Sequence, residues 1–562
     1  MNSPFEAVKN QLRHLKRRMV KQAIPQSPWK EIIERSQPFL DTYVRPSARV
    51  KVLGATSVGS HAAARVIDSL VGSALWLRGA DVTMLLCDHA LPACERAMYV
   101  DFPWLSEFAK HGPRKSLCNS CFASGSAYYQ PLLFPTVTYG KYLPEGAQAA
   151  ALRMAASLSV EDCFAYEDGG MALGEQARAG VLRFFGKATF EQEDPKFVLA
   201  VARRYLAGAV VSARAAEAAI NALKPDVVVA HHGVYVPQGV IGAVARKLGV
   251  RVVNWGPSYR NTTVIYSHGD TYHHTFMDEP VRHWEFLELD ESRTKALMQY
   301  LEQRRGGKGD WSWVTPDRGD NALVEEHSRI MRELGLDPAK PSFGLLTNVL
   351  WDAQLYYDGR AFDNMLDWLF TTIDWFTSHP ELQLVIRVHP HEVKGGNRQP
   401  TGPEIRQRYP NLPANIKLVD RASAYSTYAL MDLCQAVLIY GTKTGVELAP
   451  YGTPIVVAGE AWIRGKGISI DITDRQQYLA LLEGLPTVKK LDEATVLRAR
   501  KYAYHYFFRR MIPLASIDPE GGADMKMRIR EISDLLPARD PGLDVVCSGI
   551  MTGTDFIYDP AA

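Results

Sequence analysis

The sequence predicts an α/β protein built from two Rossmann-like domains. Short, near-continuous apolar runs alternate with amphipathic stretches along most of the chain, as buried parallel strands and their covering helices do. The chain has 562 residues, too many for a single hydrophobic core. A segment dense in charge and glycine, residues 304–320, separates two sets of such runs. We therefore predict an N-terminal domain over residues 46–310 and a C-terminal domain over residues 320–540.

The first domain begins with a strand, a loop, a helix and a second strand. The apolar run Val50–Ala55 predicts the first strand, and an apolar-periodic helix ends at Leu77. The second strand is the run Val82–Cys87. This βαβ unit is the building block of a parallel sheet. The glycines of its loop do not form the Gly-x-Gly-x-x-Gly pattern, so dinucleotide-dependent hydride chemistry is not indicated.

The remaining elements continue the alternation in both domains. Residues 91–142 are rich in proline, glycine and aromatic residues and predict an irregular insertion, and residues 541–562 predict a C-terminal tail. The other predicted helices cover residues 147–158, 196–223, 238–248, 362–378, 426–433 and 443–451. The other predicted strands cover residues 226–232, 250–255, 342–348, 384–389, 416–419, 436–440 and 455–458.

Composition places the chain among globular proteins. Hydrophobic residues make up 46% and charged residues 22% of the sequence, which is ordinary for such proteins. The 64 Lys and Arg residues nearly balance the 62 Asp and Glu residues, so nothing global indicates a nucleic-acid partner. We find no apolar run of about 18 residues and no secretory signal. We therefore expect a cytoplasmic protein.

Residues 1–45 predict a basic helical extension. Between Val8 and Lys21, six Lys and Arg residues alternate with Leu12, Leu15, Met19 and Val20. Such a basic amphipathic helix can rest on anionic lipid, which would place the protein at the cytoplasmic face of the inner membrane. The alternative is a solvated helix that packs on the body by one edge.

Four of the seven cysteines are grouped in the sequence. They are Cys87, Cys94, Cys118 and Cys121. Four thiolates that converge in space can hold a structural zinc ion. Because the spacing is irregular, buried or loop thiols are the alternative, and we assign no metal.

The segment Gly441–Pro454 has the chemistry of a diphosphate-binding turn. It lies between two apolar runs and begins Gly441-Thr-Lys-Thr444. Backbone N–H groups at a helix start and the hydroxyls of Thr442 and Thr444 can bind phosphate. Lys443 adds a positive charge to this turn. Glu447, about one turn further, has a carboxylate that can accept hydrogen bonds from two ribose hydroxyls.

The spacing of this segment resembles a known donor site. Thr444 follows Gly441 by three residues, Glu447 by six, Gly452 by eleven and Pro454 by thirteen. This resembles the signature Gly-x-x-Thr-x-x-Glu-x-x-x-x-Gly-x-Pro of sugar-nucleotide glycosyltransferases with the GT-B fold. The resemblance implies two Rossmann-like domains that face each other across a cleft. It also implies that Thr444 contacts phosphate and Glu447 the ribose; the alternative is an ordinary strand, turn and helix.

A second motif lies upstream in the same predicted sheet. His389 ends a predicted strand and is followed by proline, and ligands of open α/β sheets bind at this strand end. An imidazole there can hydrogen-bond a leaving phosphate, with Arg387 or Lys394 adding charge. The step Arg-x-His-Pro resembles the His-Pro motif of bacterial capsule polysaccharide transferases. The alternative is a histidine satisfied within its own turn.

A base that deprotonates the acceptor hydroxyl is expected in the first domain if the reaction inverts the anomeric carbon. His61 opens the first helix in a segment that resembles the start of nucleotide-sugar transferases, where a histidine is often the base. The sequence lacks the proline usual after that histidine, and the alternative for His61 is a helix cap. His232, with its neighbour His231, and Asp88 follow other predicted strands and are the rival candidates.

These observations predict a metal-independent glycosyltransferase that moves a sugar from a nucleotide-sugar donor to a glycan or lipid-linked glycan in surface polysaccharide synthesis. The chain has no Asp-x-Asp motif, and Asp471-Ile-Thr-Asp474 is only a looser approach to it, so we expect no metal and no other cofactor. One alternative is a nonhydrolysing sugar-nucleotide 2-epimerase, which shares the fold and a similar turn. The other is a noncatalytic sugar-nucleotide-binding subunit of a polysaccharide assembly complex.

Overall fold

The computed structural model describes residues 26–47, 50–102, 105–306, 323–353, 355, 360–393, 397–520 and 525–559. Lys394 and the basic segment Val8–Lys21 lie outside these residues. The described residues form thirteen strands, β1 to β13 in chain order: Lys51–Ser57, Asp81–Leu86, Thr136–Thr138, Val227–His231, Arg251–Pro257, Thr263–His268, Ser342–Leu346, Gln383–Arg387, Ile416–Val419, Val437–Ile439, Ile455–Val457, Ile470–Asp471 and Ile512–Pro513.

The chain divides into two compact units. The first consists of Met1–Tyr272, Ala353–Leu355 and Met511–Tyr558, and the second of His273–Asp352, Tyr356–Arg510 and Asp559–Ala562. These boundaries differ from the predicted ones. Residues 273–306 belong to the second unit, and residues 511–558 belong to the first.

Helices cover the sheet of each unit. The α-helices of the first unit are Trp29–Arg35, Gln37–Leu40, Ala62–Leu77, Leu105–His111, Lys115–Tyr129, Ala147–Ala155, Val160–Phe164, Leu173–Phe185, Pro195–Leu223, Gln238–Lys247 and Pro541–Thr552. Those of the second are Glu291–Arg305, Leu323–Leu334, Met365–Thr377, Thr401–Arg408, Thr427–Asp432, Thr444–Leu448, Arg475–Gly484 and Glu493–Tyr504, and Tyr272–Thr275 lies at the boundary. A π-helix spans His505–Arg510, and short 3-10 helices span Tyr99–Asp101, Tyr139–Lys141, Val281–His283, Pro390–Val393, Ala449–Tyr451, Leu485–Thr487 and Ile532–Leu535.

The sheet of the first unit has the strand order β13-β6-β5-β4-β1-β2-β3. Strands β1 to β5 run parallel. Strand β6 pairs antiparallel with β5, and β13 pairs antiparallel with β6. The parallel order changes direction between β1 and β4. In open α/β sheets such a switch point is where ligands bind, at the carboxyl ends of the strands.

The sheet of the second unit is entirely parallel and has the order β12-β11-β10-β7-β8-β9. Counted within the unit, this is the strand order of a Rossmann sheet. The four central strands, β7, β8, β10 and β11, are buried on both faces, which explains why they appear in the sequence as short continuous apolar runs. The switch point lies between β7 and β10. The α/β class with two Rossmann-like sheets is therefore confirmed.

A buried ionic cluster ties residues 273–306 to the second unit. Glu279 accepts a hydrogen bond from His505 at 3.1 Å, and its carboxylate lies 2.9 Å from the guanidinium of Arg510. The buried Lys466 donates to two backbone carbonyls of the same segment. Breaking such a cluster leaves charges buried without partners. Residues 273–306 are therefore part of the second unit, whose His505 and Arg510 neutralise the buried carboxylate of Glu279.

The predicted C-terminal tail is wrong, because residues 541–552 form a packed helix. This helix, Pro541–Thr552, buries Leu543, Val546, Cys547 and Ile550. Arg78 forms an ion pair with Asp544 on the helix. The short strand β13 joins the edge of the first sheet at β6. The C-terminal segment thus completes the first unit.

The predicted irregular insertion, residues 91–142, is also wrong in part. It contains the helices Leu105–His111 and Lys115–Tyr129 and the edge strand β3, which pairs parallel with β2. These helices carry many polar and small residues, so their apolar period is weak in the sequence. Tertiary packing on the sheet stabilises them where local propensity does not.

Two further segments bear on the membrane expectation. Within the described residues, Pro195–Leu223 is long and apolar enough to cross a membrane, and 67% of its most apolar window is buried inside the protein. It packs beside Leu173–Phe185 as a core helix of the first unit. In the predicted extension, Trp29 and Ile32 are buried and Ser36 accepts a hydrogen bond from the Ile532 amide at 2.8 Å.

Candidate active site

Three histidines lie together at the carboxyl edge of the first sheet. His61 caps the helix Ala62–Leu77 after the loop that follows β1, and His231 ends β4. The ring centroids of His61 and His231 are 4.5 Å apart, and those of His231 and His232 are 5.6 Å apart. His61 and His232 therefore both lie at the switch point, with the ring of His231 between them.

His61 is neutral at physiological pH. Burial, followed by the charges of Arg96, Arg183 and Arg65, lowers the pKa of its ring to about 4. Its Nδ1 accepts a hydrogen bond from the Ala64 amide at 3.3 Å, so the ring acts as the helix cap and carries its proton on Nε2. To act as a base through Nε2 it must move that proton to Nδ1 and give up the cap, which costs about 1 kcal/mol.

The backbone at this edge is strained. Ser57, His89, His232 and Tyr235 have φ values of 61°, 72°, 64° and 71°. They follow or end β1, β2 and β4, so all four lie at the carboxyl edge. Left-handed conformations of non-glycine residues cost of order 1 kcal/mol each and concentrate at functional sites. Their clustering is a second feature, besides the three histidine rings, that marks this edge.

His232 is held in an aromatic setting. Its ring stacks on Tyr235 with centroids 5.6 Å apart and meets Tyr272 edge-on at 6.0 Å. Its backbone carbonyl accepts a hydrogen bond from the Thr271 hydroxyl at 2.7 Å. These contacts fix the ring beside the histidine pair.

Asp88 lies at the same edge but is engaged elsewhere. Both of its carboxylate oxygens accept from the Gly140 amide, at 3.0 and 3.2 Å. A Cβ at Gly140 would lie 2.6 Å from that carboxylate, so the contact depends on glycine. The side chain anchors the 3-10 turn after β3, so acting as a base would require it to release the Gly140 amide.

A buried carboxylate and its arginines were missed by the sequence analysis. Glu95 is 5% exposed, and burial raises its pKa against the opposing effect of Arg183 and Arg96. Gln238 donates to its carboxylate at 3.2 Å. Only tertiary packing brings these residues to the histidine edge. The adjacent pair Glu95–Arg96 in a supposed loop is the one signal that the sequence offered.

The four grouped cysteines do converge. All four line one cavity of about 30 Å³, together with Arg96 and His89. Burial raises the pKa of Cys87 to about 12 and that of Cys118 to about 11, so these thiols are protonated. Within the part of the chain that the structure describes, no group of three or more Cys, His, Asp or Glu side chains has metal-binding geometry. The four cysteines are therefore close together, as a zinc site requires, but the described residues do not have metal-binding geometry.

The predicted donor turn lies at the switch point of the second sheet. Gly441–Thr444 follows β10 and is half-buried, whereas Gly445–Pro450 is buried. The hydroxyls of Thr442 and Thr444 are 3.0 Å apart, and the Thr444 amide donates to the Thr442 hydroxyl at 3.3 Å. One hydroxyl donates to the other, so one hydroxyl hydrogen remains for an outside acceptor.

The helix after this turn is short. It covers only Thr444–Leu448 and continues as a 3-10 turn that ends at Gly452, with φ 87°. A helix of this length has a small dipole. Phosphate binding here therefore depends on the hydroxyls, amides and charges of the turn itself.

Glu447 is not free to contact ribose as the structure stands. The carboxylate is 1% exposed. It accepts from Arg304 at 3.1 Å, from Tyr428 at 2.8 Å and from the ammonium of Lys443. Against its burial, Lys443 and Arg304 hold its pKa at about 2. Its present role is to hold Lys443 against the turn, and a contact with ribose would have to displace one of these donors.

His389 presents a neutral ring beside the turn. Its Nδ1 accepts from the His391 amide at 3.1 Å, which leaves the proton on Nε2. Burial, followed by the charges of His391, Lys443 and Arg387, lowers its pKa to about 3. The effect of Lys443 places the His-Pro step and the Thr-rich turn within electrostatic reach of each other. His389 can thus donate a neutral hydrogen bond through Nε2.

Arg387 is buried beneath the site. It is 2% exposed and donates to the Asp420 carbonyl at 2.6 Å and to the Thr427 hydroxyl at 3.3 Å. These contacts hold the loop after β9, and the charge of Arg387 acts on the His389 ring. The other predicted cation, Lys394, lies outside the described residues.

Two residues at the end of β7 complete this edge. The Thr347 hydroxyl accepts from the His389 amide at 2.9 Å and so joins the ends of β7 and β8. A Cβ at Gly441 would lie 3.7 Å from the side-chain amide of Asn348, whose Oδ1 is buried without a hydrogen-bond partner. Asn348 could not be predicted as a site residue, because a single Asn at a strand end carries no motif.

Comparison with known proteins gives distant structural similarity. No protein-family model and no curated protein matches the chain. Among solved structures, the chain is similar to the β-Kdo 2,4-transferase KpsC of Thermosulfurimonas dismutans, with a TM-score of 0.33 and 13% identity over 55% of this chain and 87% of that one. It is also similar to a UDP-GlcNAc 2-epimerase from Neisseria meningitidis bound to UDP-GlcNAc, with a TM-score of 0.25 and 10% identity over 81% and 96%. The spinosyn rhamnosyltransferase SpnG gives a TM-score of 0.24 and 13% identity over 81% and 95%. These values are too low to assign a function, and the fold assignment rests on the strand orders.

Proposed function

We propose that this protein is a glycosyltransferase that moves a sugar from a nucleotide-sugar donor to a glycan or lipid-linked glycan during surface polysaccharide synthesis. One observation carries the proposal. The half-buried turn Gly441–Thr444 lies at the switch point of a Rossmann sheet, with the His389 ring within electrostatic reach. A strand end with hydroxyl donors, a fixed ammonium and a neutral imidazole suits a nucleotide diphosphate.

The second unit would carry the donor. The free hydroxyl hydrogen of the pair Thr442 and Thr444 and the Nε2–H of His389 donate to phosphate oxygens. Lys443, positioned by Glu447, adds positive charge at the same turn. These groups offset the charge that the departing diphosphate gains when the bond between C1 and the phosphate oxygen breaks. The proposed reaction needs no bound metal or other cofactor.

The first unit would supply the base. In an inverting transfer the acceptor oxygen attacks C1, and its proton passes to a ring nitrogen of His61. His61 is half-buried at the strained edge, whereas its neighbour His231 is only 6% exposed. We therefore assign the base to His61 and packing to His231. The basic segment Val8–Lys21 would hold the protein at the cytoplasmic face of the membrane, next to a lipid-linked acceptor.

Product analysis tests the proposal against its rivals. The protein is incubated with UDP-, GDP-, CDP- and CMP-sugars, with and without a panel of bacterial glycan acceptors. Free nucleotide together with an extended acceptor is the expected result. A nucleotide sugar inverted at C2 without any acceptor would establish the epimerase instead. Binding of a nucleotide sugar with no turnover on any acceptor would establish the noncatalytic subunit.

A further inference from the structure

Three arginines converge on the His61 edge of the first unit. Arg65 comes from the helix that His61 caps, Arg96 from the segment after β2, and Arg183 from the helix Leu173–Phe185. All three guanidinium charges reach the His61 ring, and in the described part of the chain no anion that reaches this ring offsets them. The edge therefore has a strongly positive potential around a neutral histidine.

Two of these arginines reach a buried carboxylate. Arg183 and Arg96 both act on Glu95, which is buried. Arg183 donates to the backbone carbonyl of Glu95 at 3.4 Å and lies over the ring of Tyr235 at 5.1 Å. Three positive charges thus act on the His61 ring, and the buried carboxylate of Glu95 lies within reach of two of them. Holding like charges together near a low-dielectric wall is costly unless a counter-charge binds.

Arg96 is the arginine best placed to meet a ligand. Arg65 is fixed, because it donates to the Gly59 carbonyl at 2.8 Å and lies over Tyr128. Arg96 lines the cavity beside Ser57 and Val58 at the end of β1, and its Nε is buried without a hydrogen-bond partner. A planar guanidinium with unmet donors is the group that binds carboxylate or phosphate oxygens in pairs.

We propose that the acceptor carries an anionic group, a carboxylate or a phosphate, which binds Arg96 with support from Arg183 next to His61. This inference rests on the proposed function and deepens it, since it names the chemical class of the acceptor. The bound anion would offset part of the positive charge that acts on the His61 ring. It would also position the adjacent acceptor hydroxyl at His61.

Binding measurements without any donor test this inference. The probes are uronic-acid oligosaccharides with their carboxyl-reduced counterparts, and phosphorylated oligosaccharides with their dephosphorylated counterparts. We expect at least one anionic probe to bind about tenfold more tightly than its neutral counterpart. The arm that shows this preference identifies the anion as carboxylate or phosphate. Equal affinity within every pair would overturn the inference.

Substitutions of Arg96 test whether this residue causes the preference for the anionic probe. Arg96→Gln should abolish the preference for the anionic probe, and Arg96→Lys should keep part of it, because lysine retains the charge but not the paired donors. The exposed Arg153 of the same unit offers a matched control, and Arg153→Gln should behave as the wild type. Thermal unfolding of each variant shows that it is folded. An unchanged preference in folded Arg96→Gln would contradict the proposal.

Nucleotide binding in the same variants separates this inference from the proposed function. Folded Arg96→Gln should bind nucleotide diphosphate as the wild type does, because the donor turn belongs to the other unit. A wild type that binds no nucleotide refutes the donor proposal. A wild type that binds nucleotide but prefers no anionic probe refutes only the anionic acceptor.

Discussion

At the scale of single residues, Glu447 is held by donors from three separate segments. Arg304 lies in the last turn of the helix Glu291–Arg305, Tyr428 lies in the first turn of the helix Thr427–Asp432, and Lys443 belongs to the donor turn. Its carboxylate is almost fully buried, so each donor matters. We expect Glu447→Gln to lower the free energy of unfolding of the second unit by about 3–5 kcal/mol, because two cations would lose their anion. Denaturant titration measures this loss, and Glu381→Gln at an exposed position is the matched control.

The low pKa of Glu447 predicts that the free energy of unfolding depends on pH in the acid range. Its folded-state pKa is about 2, below the ordinary value of 4.5. The contribution of about 3 kcal/mol is therefore present above pH 4.5 and is lost as the pH falls from 4.5 to 2. The difference in unfolding free energy between wild type and Glu447→Gln should shrink over this range. A difference that stays constant from pH 5 to pH 2.5 would contradict the assignment.

The low pKa of His61 predicts how the rate of sugar transfer depends on pH. Because its ring must be neutral to accept a proton and its pKa is about 4 in the free protein, kcat/KM should stay flat from neutral pH down to about pH 5. It should fall only as the pH approaches 4. His61→Ala should lose transfer by at least about 100-fold and keep donor binding. An acid limb near pH 6.5, or full activity of the variant, would exclude His61 as the base.

The site residues that belong to motifs were predictable from the sequence, whereas the side chains that contact them were not. Thr442, Thr444 and His389 stand at strand ends within recognisable spacings, and the structure brings them to one sheet edge. The engagement of Glu447 by Arg304 and of Arg387 by the Asp420 carbonyl was not predictable, because these partners lie tens of residues away in sequence. The same holds for Arg96, whose place at the His61 edge depends on the packing of a segment that the sequence predicted as irregular.

At the scale of elements, the loop before His61 lies directly against the helix Lys115–Tyr129. A Cβ at Gly125 would lie 2.9 Å from the Cα of Gly59 and 2.8 Å from a methyl group of Leu86. The backbones approach closely only because both positions are glycine. This contact lets the helix set the position of the loop that carries His61.

Gly125→Ala should therefore weaken both packing and catalysis. We expect a loss of about 1–3 kcal/mol in unfolding free energy from overpacking, with a fall in kcat from the displaced loop. Gly484→Ala is the matched control, since a Cβ there meets nothing within 4 Å. Thermal unfolding and steady-state kinetics measure both effects. A Gly125→Ala protein as stable and active as the control would show that the contact is not required.

Central strands were easier to predict than edge elements. Strands β7, β8, β10 and β11 are buried on both faces and appear as continuous apolar runs. The two-residue strands β12 and β13 are too short to show a hydrophobic pattern in the sequence. They form strands because they pair with β11 and β6. The same is true of β3 at the opposite edge of the first sheet.

At the scale of the whole molecule, the chain leaves the first unit and returns to it. Residues 511–558 supply strand β13 and the helix Pro541–Thr552 to that unit. The helix buries four apolar side chains, each worth about 1.5–3 kcal/mol. Their sum approaches the whole stability of a typical domain. A chain that ends at residue 510 should thus lose the unfolding transition of the first unit and keep that of the second, as calorimetry would show. Two unchanged transitions would contradict this division of the chain.

The central claim is that the turn Gly441–Thr444 binds the diphosphate of a sugar nucleotide. Isothermal titration with UDP, GDP and CDP, on wild type and Thr444→Val, tests it most directly, with Thr487→Val at an exposed position as control. We predict that one nucleotide binds, that Thr444→Val lowers its affinity about tenfold or more, and that Thr487→Val leaves the affinity unchanged. Equal affinity of the wild type and folded Thr444→Val would contradict diphosphate binding by this turn.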